Sequence, residues 1–390
     1  MPLSYFRNNI ERMSGYTPGE QPKDGIYIKL NTNENPYPPS PKVLNAVKEA
    51  VNDNLRLYPD PIVTDARIKI AETLGTKPEW VMAGNGSDDL LSIIVRSFAG
   101  PGDKVVFPYP SYMLYKTLAE LQDGNACAVE FNEDYSLSDD FIVGDAKVTF
   151  IANPNSPSGT MIPHGKISKI ASALDGVLVV DEAYADFAED NCLSLVEEHD
   201  NILILRTLSK SYSLAGIRLG FCIAQESLIQ GMMKVKDSYN VDRLSIAAVV
   251  AALDDQKSMR AHVEKIKDTR NYLTNSLQDM GFFVYSSQTN FVLAQCMKGV
   301  SAHHLYQTLK SRKILVRYFN LRRLDDCLRI TIGTREEIDT LLKNLKELVD
   351  TKKHAKIPLR KGGKGGCKMT TEKAQPPESP FVKGDLKGLT

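Results

Sequence analysis

The most informative segment of the chain reads Val177-Leu178-Val179-Val180-Asp181-Glu182-Ala183-Tyr184. Four apolar residues in a row are typical of a strand that is buried on both faces, as in a parallel sheet covered by helices. The run ends in two carboxylates, at the point where ligands bind in open α/β sheets. The segment therefore predicts an α/β fold and marks Asp181 and Tyr184 as candidate site residues.

Four further apolar runs have the same character and alternate with amphipathic segments. Strands that alternate with helices in this way form a mostly parallel sheet with helices on both faces. Local signals also predict helices that begin after Ser40, which Pro41 follows, and near Ser87. The four runs cover residues 80–83, 104–107, 148–151 and 202–205.

The last part of the chain predicts a smaller α+β unit, because a long helical pattern leads into alternating short strands and helices. We predict helices over about 257–280, 301–312 and 335–349 and strands near 290–295 and 327–332. The predicted divisions are an N-terminal arm over 1–35, a large domain over 36–255, a small C-terminal domain over 256–350 and a tail over 351–390.

The predicted tail differs in composition from the rest of the chain. It contains ten basic and three acidic residues, a net charge of +7, so residues 1–350 carry −7 because the whole chain is neutral. A polar segment rich in glycine and proline cannot bury enough apolar surface to offset the entropy of ordering. We therefore expect the tail to be disordered.

Composition narrows the classes of function. The 390 residues are 42% hydrophobic, and 48 basic residues balance 48 acidic ones, so charge does not favour nucleic acid or a membrane surface as the main partner. Small molecules are the expected partners. The six cysteines lack Cys-x-x-Cys or zinc spacing, which predicts free thiols and no metal site. Residues 1–30 have no apolar core, so we expect no signal peptide or membrane anchor and a cytoplasmic location.

A lysine follows the apolar run 202–205, in the segment Arg206-Thr207-Leu208-Ser209-Lys210. A lysine at the end of a buried strand is partly desolvated, which favours the neutral amine needed for nucleophilic attack. Ser209 and, further on, Arg218 add a hydroxyl and a guanidinium, and arginine can bind a phosphate through two parallel hydrogen bonds. A solvated surface lysine remains the alternative for this segment alone.

A glycine turn joins the first run to the helix predicted near Ser87. Backbone N–H groups at Gly86, Ser87 and Asp88 could hold a phosphate at this helix start. The turn matches neither G-x-G-x-x-G nor the G-x-x-x-x-G-K-[ST] loop, which disfavours dinucleotides and nucleoside triphosphates. A plain turn is an equal competitor.

Two more loops follow strands of the same predicted sheet. Tyr112 could stack on a ligand ring, although aromatic residues near strand ends are more often core. The loop 151–160 contains Asn155 and could aim an amide at a ligand or could simply be rigid. All five strand-end segments meet at one edge of the sheet, so their joint occurrence indicates one site.

These groups match the four requirements of pyridoxal 5′-phosphate (PLP): a lysine for its aldehyde, a carboxylate for its pyridine nitrogen, donors for its phosphate and an aromatic face for its ring. Lys210 could bind the aldehyde. Asp181 would otherwise be a costly buried charge, and the protonated ring nitrogen is a cation that it could pair with. Tyr184 could reach the phenolic oxygen.

At this point the chain resembles the fold-type I PLP enzymes, in the class II aminotransferase branch that contains the histidinol-phosphate aminotransferases. The resemblance covers about residues 25–349. It implies a mostly parallel seven-stranded sheet between layers of helices, the PLP-dependent transferase fold type I, with a smaller α+β C-terminal domain. The motifs that carry it are residues 30–36, 56–59, 181–184, 206–210, 214–221 and 328–334.

Roles for individual residues follow by matching position. The resemblance implies that Lys210 carries the cofactor as a Schiff base, Asp181 pairs with the pyridine nitrogen and Tyr184 contacts the ring oxygen. It also implies phosphate binding by Gly86, Ser87, Ser209 and Arg218, stacking by Tyr112, and a homodimer in which Tyr58 reaches the phosphate of the neighbouring subunit's cofactor.

The substrate side is also implied by the resemblance. Arg329 and Arg317 would bind the anionic end of the substrate, and Tyr16, Asn33 and Glu34 would lie near the entrance, where Glu34 could meet an imidazole. One departure is Ser156, which aligns with the asparagine of the family's Asn-Pro-Thr-Gly loop. Either Ser156 makes a weaker contact or Asn155 reaches round, and the sequence leaves both open.

The expected reaction is transamination between L-histidinol phosphate and 2-oxoglutarate, giving imidazole acetol phosphate and L-glutamate. An aromatic amino-acid aminotransferase is an alternative, because Arg329 could equally bind a carboxylate. A PLP-dependent decarboxylase of a phosphorylated amino acid such as threonine phosphate is another. A PLP-fold binding protein without catalysis is disfavoured, since it would have no need for Lys210, Asp181 and Tyr184 together.

Overall fold

A computed structural model describes residues 5–354, and strands and helices alternate along most of this part of the chain. The strands are β1 (Ile28–Leu30), β2 (Val81–Gly84), β3 (Lys104–Tyr109), β4 (Asn125–Glu130), β5 (Val148–Ala152), β6 (Val177–Asp181), β7 (Ile202–Thr207), β8 (Gly220–Ala224), β9 (Phe283–Val284), β10 (Phe291–Gln295), β11 (Ile314–Tyr318) and β12 (Cys327–Thr331).

The α-helices cover the sheets and connect their strands. They are α1 (Asn8–Arg12), α2 (Pro41–Ala50), α3 (Thr64–Leu74), α4 (Ser87–Phe98), α5 (Leu114–Leu121), α6 (His164–Ser172), α7 (Leu195–Glu198), α8 (Glu226–Met233), α9 (Arg243–Leu253), α10 (Gln256–Met280), α11 (Ala302–Ser311) and α12 (Arg335–His354).

The larger sheet has seven strands in the order β2-β8-β7-β6-β5-β3-β4. Only β8 runs antiparallel to its neighbours, so six strands share one direction. All residues of β5 and β6 are buried, as expected for strands covered by helices on both faces. The predicted α/β class and the mostly parallel seven-stranded sheet are confirmed.

The five apolar runs of the sequence correspond to β2, β3, β5, β6 and β7. Two strands of the larger sheet were not predicted. Strand β4 lies at the edge of the sheet and is partly exposed, so it lacks a continuous apolar run. Strand β8 is apolar and fully buried but short, and its antiparallel pairing with β7 and β2 depends on tertiary contacts.

The smaller sheet has the order β1-β11-β12-β10-β9. Strand β1 lies in the predicted N-terminal arm and pairs in parallel with β11, with Ile28 opposite Ile314. The helices and strands predicted between 257 and 349 are present as α10, α11, α12, β10 and β12. The domain boundaries at 35, 255 and 350 stay predictions. Helix α12 ends at His354, and the rest of the predicted tail lies outside the described residues.

Local sequence signals explain how the helices begin. The Ser40 hydroxyl accepts a hydrogen bond from the Val43 amide, and Pro41 occupies the first turn of α2. Helix α4 begins at Ser87, as predicted.

Within residues 5–354, no helix has the length and apolar character needed to cross a membrane, and the five cysteines there form no disulfide.

Candidate active site

A cavity of about 580 Å³ opens where the parallel strands of the larger sheet end and the smaller sheet faces them. It brings together thirteen of the sixteen residues that the sequence singled out. Those that line it are Tyr16, Asn33, Glu34, Ser87, Asp88, Tyr112, Asp181, Tyr184, Ser209, Lys210, Arg218, Arg317 and Arg329.

Asp181 is the last residue of β6 and is 6% exposed. Its carboxylate accepts hydrogen bonds from the Tyr115 hydroxyl at 2.8 Å and from the Ala183 amide at 3.2 Å. Burial raises the pKa of Asp181 to about 6, against the opposing effect of these two donors. Among the described residues, no basic side chain pairs with Asp181. The carboxylate is therefore suited to a cation that enters from the cavity.

Lys210 follows β7, which is the parallel neighbour of β6 in the sheet. Its amine lines the same cavity as Asp181 and donates a hydrogen bond of 3.4 Å to the carbonyl of Thr32. It also lies 5.8 Å from the ring centroid of Tyr184. Asn35 fixes the loop that carries Lys210, because its side-chain amide donates hydrogen bonds to the carbonyls of Lys210 and Ser211.

Tyr184 is held by a hydrogen bond from the Asn33 amide to its hydroxyl at 2.8 Å. Asn33 is 2% exposed and is itself fixed by Thr331 and by Asn290. Asn33 therefore lines the cavity as an almost fully buried residue. Because Tyr184 accepts this bond, its own hydroxyl proton remains available to a ligand.

The N-terminus of α4 forms another part of the cavity. Gly86 has a φ of +82°, and an added Cβ would lie 2.6 Å from Nη2 of Arg218. The same Nη2 lies 3.5 Å from the Asp88 carboxylate. Ser209 lines the cavity nearby and is 5% exposed. The Gly86 amide already donates to the Gly84 carbonyl at 2.8 Å. The start of α4 after it, a guanidinium and a hydroxyl together suit a phosphate.

Tyr112 lies between the helix start and the N-terminal segment. Its hydroxyl donates a hydrogen bond of 3.1 Å to Asp88, and its ring meets the edge of Tyr16 at 5.8 Å. Burial and the adjacent Asp88 charge raise the pKa of Tyr112 well above the ordinary range, so its hydroxyl stays protonated. An aromatic ring thus lines the cavity, as predicted.

Two arginines from the smaller sheet lie side by side, since Arg317 on β11 pairs in register with Arg329 on β12. The Arg329 guanidinium donates to Ser156 at 3.2 Å and to the Asn31 carbonyl at 3.0 Å, and its Nε has no partner. Burial lowers the pKa of Arg329, and the charge of Arg317 adds to this effect. Within residues 5–354 neither arginine forms an ion pair with a carboxylate, and two such adjacent cations indicate an anion site.

The sequence left open whether Asn155 or Ser156 contacts the cofactor, and the two residues differ in their surroundings. Asn155 is fully buried, and its side-chain amide bonds Ser158 of its own loop and both Ser111 and the Pro110 carbonyl of the loop after β3. Ser156 lines the cavity and accepts the hydrogen bond from Arg329.

Two other predicted residues have surroundings that bear on their expected roles. Tyr58 is 77% exposed, stacks on Tyr239 with ring centroids 4.4 Å apart, and does not line the cavity of its own chain. Glu34 lines the cavity but already pairs with Lys29. The charge of Glu34 is therefore partly neutralised before any ligand enters.

Sequence reasoning missed several residues of the site. Tyr115 donates a hydrogen bond to Asp181, and the only signal was its position three residues after Tyr112, which puts both on one side of a helix start. Phe319, Leu321 and Leu324 give the cavity an apolar wall, and they lie in a loop without any motif. No cluster of metal-ligating side chains occurs in the described part of the chain.

Comparison with known proteins places this geometry among relatives. The profile of the family "Aminotransferase class I and II" matches residues 25–345. The chain is 48% identical over 352 residues to histidinol-phosphate aminotransferase 1 of Nostoc sp., covering 90% of this chain and 99% of that protein. It is 47% identical over 340 residues to the histidinol-phosphate aminotransferase of Rhodopirellula baltica, covering 86% and 94%.

Solved structures give the same result. The histidinol-phosphate aminotransferase of Sinorhizobium meliloti, crystallised in complex with pyridoxal-5′-phosphate, superposes with a TM-score of 0.82 at 28% sequence identity. The match covers 90% of this chain and 98% of that one.

Proposed function

This chain belongs to the class I and II aminotransferase family, and we propose that it is a PLP-dependent aminotransferase that takes L-histidinol phosphate as amino donor and 2-oxoglutarate as acceptor. One observation carries the proposal: Lys210, Asp181 and the arginine pair Arg317 and Arg329 line a single cavity. The names of relatives at 47–48% identity support the choice of donor.

The residues of the cavity fit PLP. Asp181 is a buried carboxylate that lacks a cation in the described chain, as a protonated pyridine nitrogen requires. The start of α4, Ser209 and Arg218 supply donors for a phosphate, and the Tyr184 hydroxyl can donate to a ring oxygen. When bound, PLP supplies a conjugated ring that accepts the electron pair released at the substrate carbon.

The chain's own groups carry the remaining steps. Lys210 would hold the aldehyde of PLP, and its amine would accept a proton from the substrate carbon and return one as a general acid. Asp181 would pair with the ring nitrogen. Tyr184, fixed by Asn33, would donate a hydrogen bond to the ring oxygen.

The anionic end of the substrate would bind at the arginine pair. Arg329 is held in place by Ser156 and Asn31, and these two bonds use only two of its five N–H groups, so an incoming phosphate meets a fixed guanidinium with donors to spare. The apolar side chains of Phe319 and Leu321 line the cavity beside it and suit a ring such as imidazole. A carboxylate would fit the same arginines, so the donor must be decided by assay.

A homodimer with composite sites is part of the proposal. Several large apolar side chains of α2, α3 and the segment between them are exposed, together with Tyr239, and we call this set the α2–α3 patch. Exposed apolar surface can mark an interaction site. Tyr58 belongs to this set and does not line the cavity of its own chain, which supports the role in a second subunit's site. The patch comprises Leu44, Val51, Leu55, Leu57, Tyr58, Ile62, Ile68 and Tyr239.

We also propose a cytoplasmic location.

A donor assay tests the proposed reaction. The purified protein is loaded with PLP and given histidinol phosphate, phenylalanine or threonine phosphate separately, with 2-oxoglutarate as acceptor. Glutamate formed only or mainly from histidinol phosphate is the expected result. Preferred use of phenylalanine would indicate an aromatic aminotransferase. Carbon dioxide released from threonine phosphate without glutamate would indicate a decarboxylase, and no product from any donor would refute catalysis.

Replacement of Lys210 tests the role given to it. Lys210→Ala should lose the visible absorbance of lysine-bound PLP and all multiple turnover, because no other amine is proposed to bind the aldehyde. Lys104→Ala is a matched control. Lys104 is the first residue of strand β3, at the opposite end from the carboxyl ends that line the cavity, and it pairs with Asp145. The control should keep both properties. Multiple turnover by Lys210→Ala would contradict the proposal.

A further inference from the structure

The Asp181 carboxylate has few partners for a buried charge. Only two groups of the described chain donate hydrogen bonds to it, the Tyr115 hydroxyl and the Ala183 amide. The amide bond is longer, 3.2 Å against 2.8 Å, and comes from the backbone two residues away. Tyr115 is therefore the one side chain of the described chain that donates a hydrogen bond to this carboxylate.

Tyr115 is fixed in position more firmly than a hydrogen bond alone requires. The side chain is fully buried, and its ring stacks on Phe150 with centroids 4.5 Å apart and an interplanar angle of 2°. The rings of Tyr112 and Phe107 are also neighbours, with centroids at 5.6 Å and 6.3 Å and interplanar angles of 88° and 54°. Packing against three aromatic rings restricts where the Tyr115 hydroxyl can lie.

We infer that Tyr115 is a positioning residue that, through this hydrogen bond, orients the Asp181 carboxylate and favours its ionised form. The inference rests on the function proposed above, in which Asp181 pairs with the ring nitrogen of PLP. Tyr115 does not line the cavity and so contacts neither cofactor nor substrate. Its effect reaches the site only through Asp181.

Other charged groups near Asp181 do not replace this bond. Asp88 on α4 and the adjacent Glu182 both raise the pKa of Asp181, because like charges disfavour ionisation. Each of them is paired elsewhere, Glu182 with Arg206 at 2.8 Å and Asp88 with Arg218 at 3.5 Å.

Two tyrosines lie near the Asp181 carboxylate. The Asp181 charge contributes to the raised pKa of Tyr112, whose hydroxyl is bonded to Asp88. Burial and the Asp181 charge raise the pKa of Tyr115 far above the ordinary range, so Tyr115 remains a donor at every working pH.

Removal of the hydroxyl gives a prediction with a defined sign. Tyr115→Phe keeps the packed ring but removes a hydrogen bond to a charged group, and we expect the pKa of Asp181 to rise by about one to two units. Near neutral pH the carboxylate is then largely protonated. The defect should shrink as the pH rises, because Asp181 regains its charge.

The test compares four proteins: wild type, Tyr115→Phe, Asp181→Asn and the double variant. The dissociation constant of PLP is measured by equilibrium dialysis from about pH 6 to about pH 8.5, and the visible absorbance of lysine-bound PLP is titrated over the same range. Tyr115→Phe should weaken PLP binding about tenfold or more at neutral pH, with partial recovery at high pH. In the Asp181→Asn background the same change should have a much smaller effect.

Tyr135→Phe is the matched control, because Tyr135 is also buried but its hydroxyl has no hydrogen-bond partner among residues 5–354. It should bind PLP as the wild type does. Equal PLP binding by Tyr115→Phe and Tyr135→Phe would overturn the inference, as would a Tyr115→Phe defect that persists unchanged in the Asp181→Asn background. If the wild type itself bound no PLP, the proposed function would fail instead. Thermal unfolding of each variant without PLP identifies any loss of folding.

Discussion

Asp181 is a charged group that the protein buries before its partner arrives. Its pKa of about 6 in the folded protein lies above the ordinary value of 3.8, because burial disfavours the charged form. The folded state without PLP thus binds this proton more tightly than the unfolded chain does. The stability that the bound proton contributes is present at low pH and is lost as the pH rises from about 4 to about 6.

This linkage predicts the behaviour of Asp181→Asn. Without PLP, the variant should be more stable than the wild type above about pH 6, by on the order of 3 kcal/mol, and the two should converge near pH 4. Urea unfolding at several pH values measures the difference. Asp145→Asn is the control, since Lys104 lowers the pKa of the exposed Asp145 and its removal should give no such gain. Equal stability of wild type and Asp181→Asn at neutral pH would contradict the argument.

Arg329 illustrates the opposite case, a buried cation prepared for an anion. Arg329→Met keeps a long apolar side chain between Phe291 and Phe319, whose rings lie 5.2 Å and 5.4 Å from the guanidinium carbon. Loss of the charged hydrogen bonds should lower kcat/KM for histidinol phosphate about ten- to hundredfold.

A second arginine provides the comparison. Arg323→Met removes a guanidinium that bonds the carbonyls of Phe131 and Asn132 and does not line the cavity. We expect steady-state kinetics of this variant to stay close to wild type. Equal losses in Arg329→Met and Arg323→Met would mean that the arginines act on folding and not on substrate.

Individual site residues differ in how far the sequence could predict them. Lys210 and Asp181 follow apolar runs directly, and the edge of a parallel sheet brings the ends of neighbouring strands together. Tyr115 could not be found in this way, because its contact with Asp181 joins residues 66 positions apart on different elements. The partners of Ser156 and Asn155 depend on loop geometry, which the choice of residue types leaves open.

At the scale of elements, the start of α4 combines a backbone requirement with a ligand requirement. Gly86 has a positive φ, and a side chain there would also collide with Arg218. Gly102, in the turn after the same helix, has a φ of +81° but open space around it. The two glycines therefore separate backbone strain from displacement of Arg218.

Alanine at each position tests this separation. Gly86→Ala and Gly102→Ala should both lose about 1 kcal/mol of unfolding free energy from the left-handed backbone. Only Gly86→Ala should also weaken PLP binding, since the new methyl group pushes the Arg218 guanidinium aside. Urea unfolding and equilibrium dialysis measure the two effects. If Gly102→Ala weakened PLP binding as much, strain alone would explain the loss.

The strands differ in whether the sequence alone predicts them. Strands β5 and β6 are buried on both faces, so their apolar runs need no knowledge of their neighbours. Strand β1 has three residues and is defined by its pairing with β11, almost 300 residues away. Such pairing is fixed by the assembled fold and leaves no local pattern.

At the scale of the whole molecule, both sheets contribute to one cavity. The larger sheet supplies Asp181 and Lys210, and the smaller sheet supplies Arg317 and Arg329. The motif-bearing residues were predictable because they match known family positions. The apolar wall formed by the loop after β11 was not, since it depends on how the two sheets face each other.

The proposed dimer would add a third contributor, and a mixing experiment can detect it. Lys210→Ala lacks the amine but keeps Tyr58, whereas Tyr58→Ala lacks the tyrosine but keeps Lys210. In a mixed dimer with composite sites, one site carries both defects and the other carries neither. If the two inactive proteins are unfolded together and refolded in equal amounts, about a quarter of the sites should be intact, and the same share of wild-type turnover should return.

The control uses two variants whose changed residues both belong to the cavity of their own chain. Mixed dimers of Lys210→Ala and Asp181→Asn contain no intact site, because each cavity takes both residues from one chain. They should stay inactive under identical refolding. Rescue in both mixtures would point to repair of folding, and rescue in neither, with dimers present by size-exclusion chromatography, would mean that Tyr58 serves no neighbouring site. Turnover in the mixture of Lys210→Ala with Tyr58→Ala, but not in the mixture of Lys210→Ala with Asp181→Asn, is expected only if Tyr58 reaches across the interface into the neighbouring site.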